Sequence, residues 1–292
     1  MATVLGIGIA TLDIINEVDG YPAEDAEVRA LAQRRARGGN ATNTLVVLAQ
    51  HGHRCHWGGV LSDEADAAGI RGDLERHGVV TTPCRVVAGG RVPTSYVTLN
   101  RRNGSRTIIH YRDLPEFGFL DFAVVDLAPF DWIHFEGRNL AETRRMLEHA
   151  ARTAPRARRS LEVEKPHEGI DALLPLADVL LFSRRFAQAR GYGSAPDLLA
   201  DLQPRNPDAL LVCAWGEAGA WALEPDGTLH QSPAYPPPRV VETLGAGDVF
   251  NAGIIHALLD GAPVGQAIDR AGRLAGRKCG QAGLDGLAGD AG

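Results

Sequence analysis

The sequence predicts an α/β protein, a doubly wound α/β/α sandwich carrying a small β-sheet lid. Three observations carry that expectation. Short apolar runs of the kind that fill central parallel strands alternate with helical stretches of roughly 10–15 residues. Two polar, alternating, β-rich segments, at about 11–37 and 86–113, interrupt the alternation and have no helix of their own. The 292 residues are 45 % hydrophobic and 23 % charged, the make-up of an ordinary globular protein. They are enough for a single domain, 1–292, with the β-rich segments as an insertion.

The elements follow in order. Residues 4–10 are continuously apolar, as a strand buried on both faces must be. Residues 11–18 alternate like a second strand. A glycine turn at Gly38-Gly39 opens an apolar helix over 39–49, and a further helix is expected over about 62–77. Residues 91–100 and 106–111 are rich in β-branched residues and flank Asn103-Gly104, a strong short-range hairpin signal. Residues 130–135 form a strand, and a helix follows over about 140–153. Strands are expected at 160–164, 179–182 and 210–215. Gly216 to Ala220 then makes a tight connection into 221–223. Ala252, Ile254, Ile255, Ala257, Leu258 and Leu259 read as a buried helix. The tail beyond Leu284 is rich in Gly, Ala and Asp and is expected to fray.

Composition excludes several classes. Net charge is −6 and there is no basic run, so nucleic acid is not an expected partner. Arg152, Arg156, Arg158 and Arg159 read as a solvated helix end. No apolar run is long enough to span a membrane. The chain enters a strand pattern at once, so no signal peptide is expected. Four cysteines without C-x-x-C spacing read as reduced, mostly buried thiols of a cytoplasmic protein. Gly6-x-Gly8 lacks the third glycine of a dinucleotide fingerprint, since position 11 is Thr11, and no helix follows. His51, His53 and His56 have no acidic or cysteine partner at useful spacing and read as surface or core histidines.

The chemistry concentrates near the C-terminus. Gly245 and Gly247 permit a tight turn into a helix start. Free N–H groups and the helix dipole would make an anion site there. Asp248 beside it is either a helix cap or a general base. Asn40 and Asn43 lie one helical turn apart, so both amides can face one way, either as caps or as partners of sugar hydroxyls. Asp13 follows the first strand, where open α/β sheets bind ligands, or is a turn aspartate.

Glu242-Thr243-Leu244-Gly245-Ala246-Gly247-Asp248 resembles the D-T-x-G-A-G-D motif of the ribokinase-like (PfkB) sugar kinases. Arg37-Gly38-Gly39-Asn40-Ala41-Thr42-Asn43 resembles that family's G-G-x-x-x-N motif. Further stretches are similar to a ketohexose-phosphorylating branch of the family. They include Trp132 to Asn139, Glu162 to Pro166, Val212 to Trp215, Pro236 to Val241 and Lys278-Cys279-Gly280, and the likeness runs from residue 13 to about 286.

The resemblance implies a ribokinase-like fold and ATP-dependent phosphorylation of a sugar hydroxyl, with C1 of D-fructose as the leading acceptor. Another sugar, a nucleoside, or a non-catalytic sensor on the same fold are the alternatives. Asp248 would be the base, and the amides of Gly245, Ala246 and Gly247 would steady the transferring group, with Arg106 as a second clamp. Asp13, Gly39, Asn40, Asn43 and Arg138 would hold the sugar, joined by Asp25 from a second subunit. Glu217, Gly219 and Ala220 would run along the nucleotide beside Gly245 and Gly247. Mg²⁺ would accompany ATP, a monovalent cation such as K⁺ could assist, and the lids would clasp in a homodimer. This chain has Glu242 for the family's Asp and Ser105 before Arg106 where the branch has Asn. It also has Ser183-Arg184-Arg185-Phe186 where many relatives carry N-x-x-E. The metal ligands are therefore unassigned.

Overall fold

A computed structural model describes residues 1–102 and 104–288. The chain begins β1 (Thr3–Ile7), β2 (Thr11–Val18), β3 (Ala32–Gly38), α1 (Asn40–Gln50), β4 (Arg54–Ser62) and α2 (Ala65–Arg76). It continues through β5 (Val79–Val80), β6 (Cys84–Val87), β7 (Thr94–Asn100), β8 (Arg106–Tyr111) and the short α3 (Phe119–Phe122). Then come β9 (Trp132–Glu136), α4 (Leu140–Thr153), β10 (Arg158–Val163), β11 (Val179–Ser183), α5 (Arg184–Ala189) and α6 (Ala195–Leu202). The last elements are β12 (Leu210–Ala214), β13 (Ala220–Leu223), β14 (Leu229–Ser232), α7 (Ala246–Leu259) and α8 (Val264–Cys279).

The main sheet runs β14-β13-β12-β11-β10-β9-β1-β4-β5, with β6 paired to β4. β1 lies between β4 and β9, and its apolar run is spent on both faces: Val4 and Leu5 are fully buried. Two cores result, one on each side. Met146 and Leu147 of α4, Phe186 of α5 and Leu198 of α6 fill one. Leu45 of α1, Ile70 of α2, Ile254 of α7 and Ile268 of α8 fill the other. Helices on both faces of a mostly parallel sheet are what such strands require.

The sheet departs from the parallel expectation at one edge. Gly216 to Ala220 is a hairpin turn, so β13 pairs antiparallel with β12, and β14 with β13. Leucine and alanine strands gave no sign of direction; the short connection sets it, because a crossover needs a dozen or more residues.

A second, four-stranded sheet has the order β3-β2-β7-β8. β2 and β7 are parallel, and the two outer pairings are antiparallel. The β7–β8 hairpin closes where Asn100 N–H donates to the Ser105 carbonyl at 2.8 Å. Asn103, half of the hairpin signal, lies outside the described residues; Gly104 supplies the positive φ, +69°. Tyr96, Ile108, Ile109 and Tyr111 of this sheet are exposed.

Other expectations need correction. Arg158 and Arg159 are not a solvated helix end. They lie in β10, where Arg159 clasps Asp178 and the Arg158 guanidinium sits over the Trp132 ring. Of the tail beyond Leu284, Asp285, Gly286 and Ala288 are exposed, but one residue is anchored rather than frayed. Leu287 is fully buried, and Gln50 grips Leu284 and Leu287 through their backbone; residues 289–292 lie outside the described residues. The four thiols are free, but only Cys55 and Cys213 are buried, and burial pushes both up to about 12. α8 was not foreseen; its buried stripe mixes Ala267, Ile268 and Ala271 with the charged Lys278. Among the described residues, no helix is long and apolar enough to cross a membrane.

Candidate active site

Two helix N-termini meet at the site. α1 starts after Gly39, whose φ is +109°. A Cβ there would stand 2.1 Å from the Ile9 carbonyl oxygen, so only glycine lets β3 turn into the helix. Glu136, at the end of β9, accepts the N–H of Ala41 at 2.8 Å and so caps α1 from a neighbouring strand. α7 starts after Gly245, whose φ is +82°. Among the described residues, the N–H groups of Gly247 and Asp248 have no backbone acceptor, and the dipole of a fourteen-residue helix stands behind them.

Asp248 is 7 % exposed. Its Oδ2 accepts from Asn43 Nδ2 at 2.6 Å, which joins the start of α7 to the first turn of α1. Arg37, whose side chain is almost wholly buried, holds Asn43 Oδ1 at 2.7 Å and Thr42 at 2.9 Å, and reaches Asp73 of α2 at 2.7 Å. Burial pushes Asp248 up, to about 8. The charges of Glu164 and Glu136 push the same way, against the Asn43 hydrogen bond and Arg37. A carboxyl that titrates near neutrality is suited to moving a proton.

The candidates do not all converge. Asn40, one turn before Asn43, donates to Glu162 at 3.0 Å and to Glu164 at 3.4 Å. Asp13 accepts from Thr11 at 2.8 Å, close to Ser95, and burial raises it. Arg138 pairs with Glu116 at 3.2 Å and stands 3.8 Å from Glu136. Arg106 reaches from β8 to Thr243 at 3.1 Å, and Arg34 of β3 pairs with Glu242. The small sheet is thereby tied to the loop before the anion site. Asp25 is exposed at φ +61°, in a turn, and among the described residues no hydrogen bond or ion pair joins it to the others. Glu217, Gly219 and Ala220 lie at the β12–β13 hairpin, and no hydrogen bond joins them to the rest.

Several residues were missed. Arg37 was visible beside the glycine pair, but nothing local marks it as buried. Glu136 and Glu162 stood in the stretches that carry the family likeness, but their burial at strand ends depends on the neighbouring strands. Lys278 is fully buried in α8. Its ammonium reaches the Glu242 carboxylate and carbonyl at 3.2 and 3.3 Å and the Gln281 carbonyl at 3.2 Å. The histidine reading also changes. Ala2 N–H donates to His53 Nδ1, so His53 Nε2 faces His256 Nδ1 at 2.9 Å as donor, and His256 faces Asp260 at 3.5 Å. The acidic partner is Asp260, the C-cap of α7; hydrogen bonds use both ring nitrogens of His53 and Nδ1 of His256.

A ribokinase-like sheet, an N-terminal anion site and a buried carboxyl beside it define a small-molecule kinase of the doubly wound class. The pfkB family carbohydrate kinase model matches residues 1–287, and the chain belongs to that family. It is 44 % identical to mouse ketohexokinase, over 97 % of this chain and 98 % of the mouse protein. Among solved structures, it resembles adenosine kinase from Sinorhizobium meliloti (TM-score 0.81, 22 % identity, 98 % of this chain and 97 % of that one). Ribokinase from Arabidopsis thaliana, solved with ribose and ATP, superposes with a TM-score of 0.79 at 18 % identity, over 97 % of this chain and 94 % of that one.

Proposed function

We propose that this protein is an ATP-dependent ketohexokinase that converts D-fructose to fructose 1-phosphate, with Asp248 as its base. The observation that carries the reading is the Asn43–Asp248 hydrogen bond, which sets a hydroxyl-binding amide against a proton acceptor. Asp248 takes the hydroxyl proton as the sugar oxygen forms its bond to the γ-phosphorus and the bond to the ADP oxygen breaks. The N–H groups of Gly247 and Asp248, beside Gly245 and Ala246, meet the charge on the phosphoryl oxygens, and Arg106 closes over them. Asp13, Gly39, Asn40, Asn43 and Arg138 hold the sugar. Glu217, Gly219 and Ala220 follow the nucleotide. Mg²⁺, when bound, spreads the phosphate charge.

The small sheet serves as a lid, and a second copy covers its exposed face of Tyr96, Ile109 and Tyr111. Apolar patches of this kind on a sheet favour pairing. Asp25 then reaches the partner's sugar.

A coupled ADP-release screen over ketoses, aldoses and nucleosides, run with and without Mg²⁺ and K⁺, tests the reading. Fructose-dependent release with the phosphate on C1 supports it. Preference for a nucleoside or ribose, or no release with any acceptor, overturns it.

A further inference from the structure

Lys278 is fully buried, which a lysine seldom is unless its charge is answered. Its ammonium donates to three oxygens: Glu242 Oε2 at 3.2 Å, the Glu242 carbonyl at 3.3 Å and the Gln281 carbonyl at 3.2 Å. All of its donors are thereby used. Glu242 is buried as well. Its Oε2 also accepts the Gly283 N–H at 3.0 Å, and its Oε1 pairs with Arg34 of β3. One carboxylate thus joins the end of α8, the loop after it and the small sheet.

The glycine turn that opens α7 lies directly on this pair. The N–H groups of Val241 and Glu242 donate to the Cys279 carbonyl at 2.8 and 3.2 Å, so the chain enters the turn along the end of α8. Gly245 packs on the lysine stem. A Cβ there would stand 3.8 Å from Lys278 Cε and 3.9 Å from Asn43 Nδ2, the amide that holds Asp248. Lys278 therefore holds Glu242 with its head and supports Gly245 with its stem. Arg34 and Lys278 share one carboxylate, so these three groups leave a net positive charge beside the anion site. A buried ion pair is weak evidence for stability, since apolar residues of similar volume often serve as well; its better attested use is to fix position.

We propose that Lys278 and Glu242 are positioning residues for phosphoryl transfer. Lys278 sets the place of the Gly245 turn, and with it the amides of Gly247 and Asp248. Glu242 carries the position of the small sheet to that turn through Arg34. Both act through the turn rather than on the substrate. The length of the acidic side chain matters. Glu242 stands where the family carries Asp, and the added methylene lets one oxygen answer Lys278 and Gly283 while the other answers Arg34. An acceptor that draws the small sheet down then also steadies the amides, so acceptor and nucleotide strengthen each other's binding. This deepens the kinase reading and takes its purpose from it, but its binding and exchange readouts require no turnover.

The test separates position from stability. Lys278→Met combined with Glu242→Gln removes both buried charges at nearly constant volume, and should melt close to wild type because neither charge is left unpaired. In that double variant the amides of 243–248 should exchange hydrogen faster, and calorimetry should find ADP bound more weakly. Its kcat should fall about tenfold to a hundredfold, the reach of a misplacement of about 1 Å, while D-fructose affinity measured without nucleotide stays near wild type. Arg34→Gln should keep ADP affinity in the absence of sugar but weaken the mutual strengthening of fructose and ADP. Glu242→Asp, which keeps Lys278 but falls short of Arg34, should behave like Arg34→Gln. A double variant that matches wild type in exchange, ADP affinity and kcat overturns the assignment. Arg34 is 38 % exposed, so its variant reads the link even if the buried pair resists replacement, and unchanged coupling there overturns that link. If wild type phosphorylates no sugar but the double variant still loosens 243–248 and ADP, the kinase reading falls and the hold on the turn stands.

Discussion

Asn43 Nδ2 lies 2.6 Å from Asp248 Oδ2, across 205 residues of sequence, and Arg37 grips the other end of the same amide. The amide nitrogen is thereby turned toward the carboxylate, because its oxygen is occupied by a guanidinium that is itself pinned to Asp73. Position and proton affinity of the candidate base are set together.

The base can be removed without changing its shape. Asp248→Asn should lower turnover on the order of a hundredfold or more, the usual span for a general base. Circular dichroism and ADP affinity should stay close to wild type. Near-normal turnover would take Asp248 out of the role.

Asp248 also sets a pH dependence. Its carboxyl is raised to about 8, so kcat/KM should climb through neutral pH and level off above about 8, and the Asn variant should lack that limb. Stability runs the other way. A carboxyl raised on folding favours the folded state fully below its unfolded value, near 3.8, and loses that contribution as pH rises toward about 8. Asp248→Asn should therefore melt higher than wild type at pH 8, and the difference should vanish near pH 4. Parallel melting curves across that range would show that Asp248 is charged in the folded protein throughout.

Asn43→Ala removes a sugar partner and a brake on the Asp248 pKa. Sugar affinity should fall by about 1–3 kcal/mol, the cost of leaving a buried group unpaired, while ATP affinity changes little. The rising limb should also move to higher pH, since the Asn43 hydrogen bond is what holds Asp248 down most. Calorimetry that finds both ligands weakened equally, with the limb unmoved, would make Asn43 a packing residue.

Asp25 tests the second subunit. It is exposed, and among the described residues no hydrogen bond or ion pair joins it to the other candidates of its own chain, as expected of a residue serving a partner's pocket. Asp25→Ala and Asp248→Asn homodimers should each be weak. Refolded together, they should regain roughly a quarter of wild-type sites, because random pairing in a twofold dimer makes half the molecules mixed, each with one complete pocket. A mixture showing only the mean of its parents would confine Asp25 to its own chain or to no role.

The sequence by itself determined many of the elements, though not α8, and the motifs of the family. Helix α4 was legible over its full length, and β2, β9, β11 and β12 to within a residue or two, because buried strands and amphipathic helices repeat their apolar residues at fixed periods. The two glycine motifs were legible because close approach and positive φ admit little else at Gly39 and Gly245. Tertiary structure alone decided what depends on neighbours distant in the chain. The Arg37 clamp, the Glu136 cap on α1 and the buried Lys278 are all of this kind. A charged residue at a strand end looks the same in sequence whether it meets water or another strand. Its burial, and therefore its proton affinity, is fixed only when β9, β10, α1 and α7 pack together.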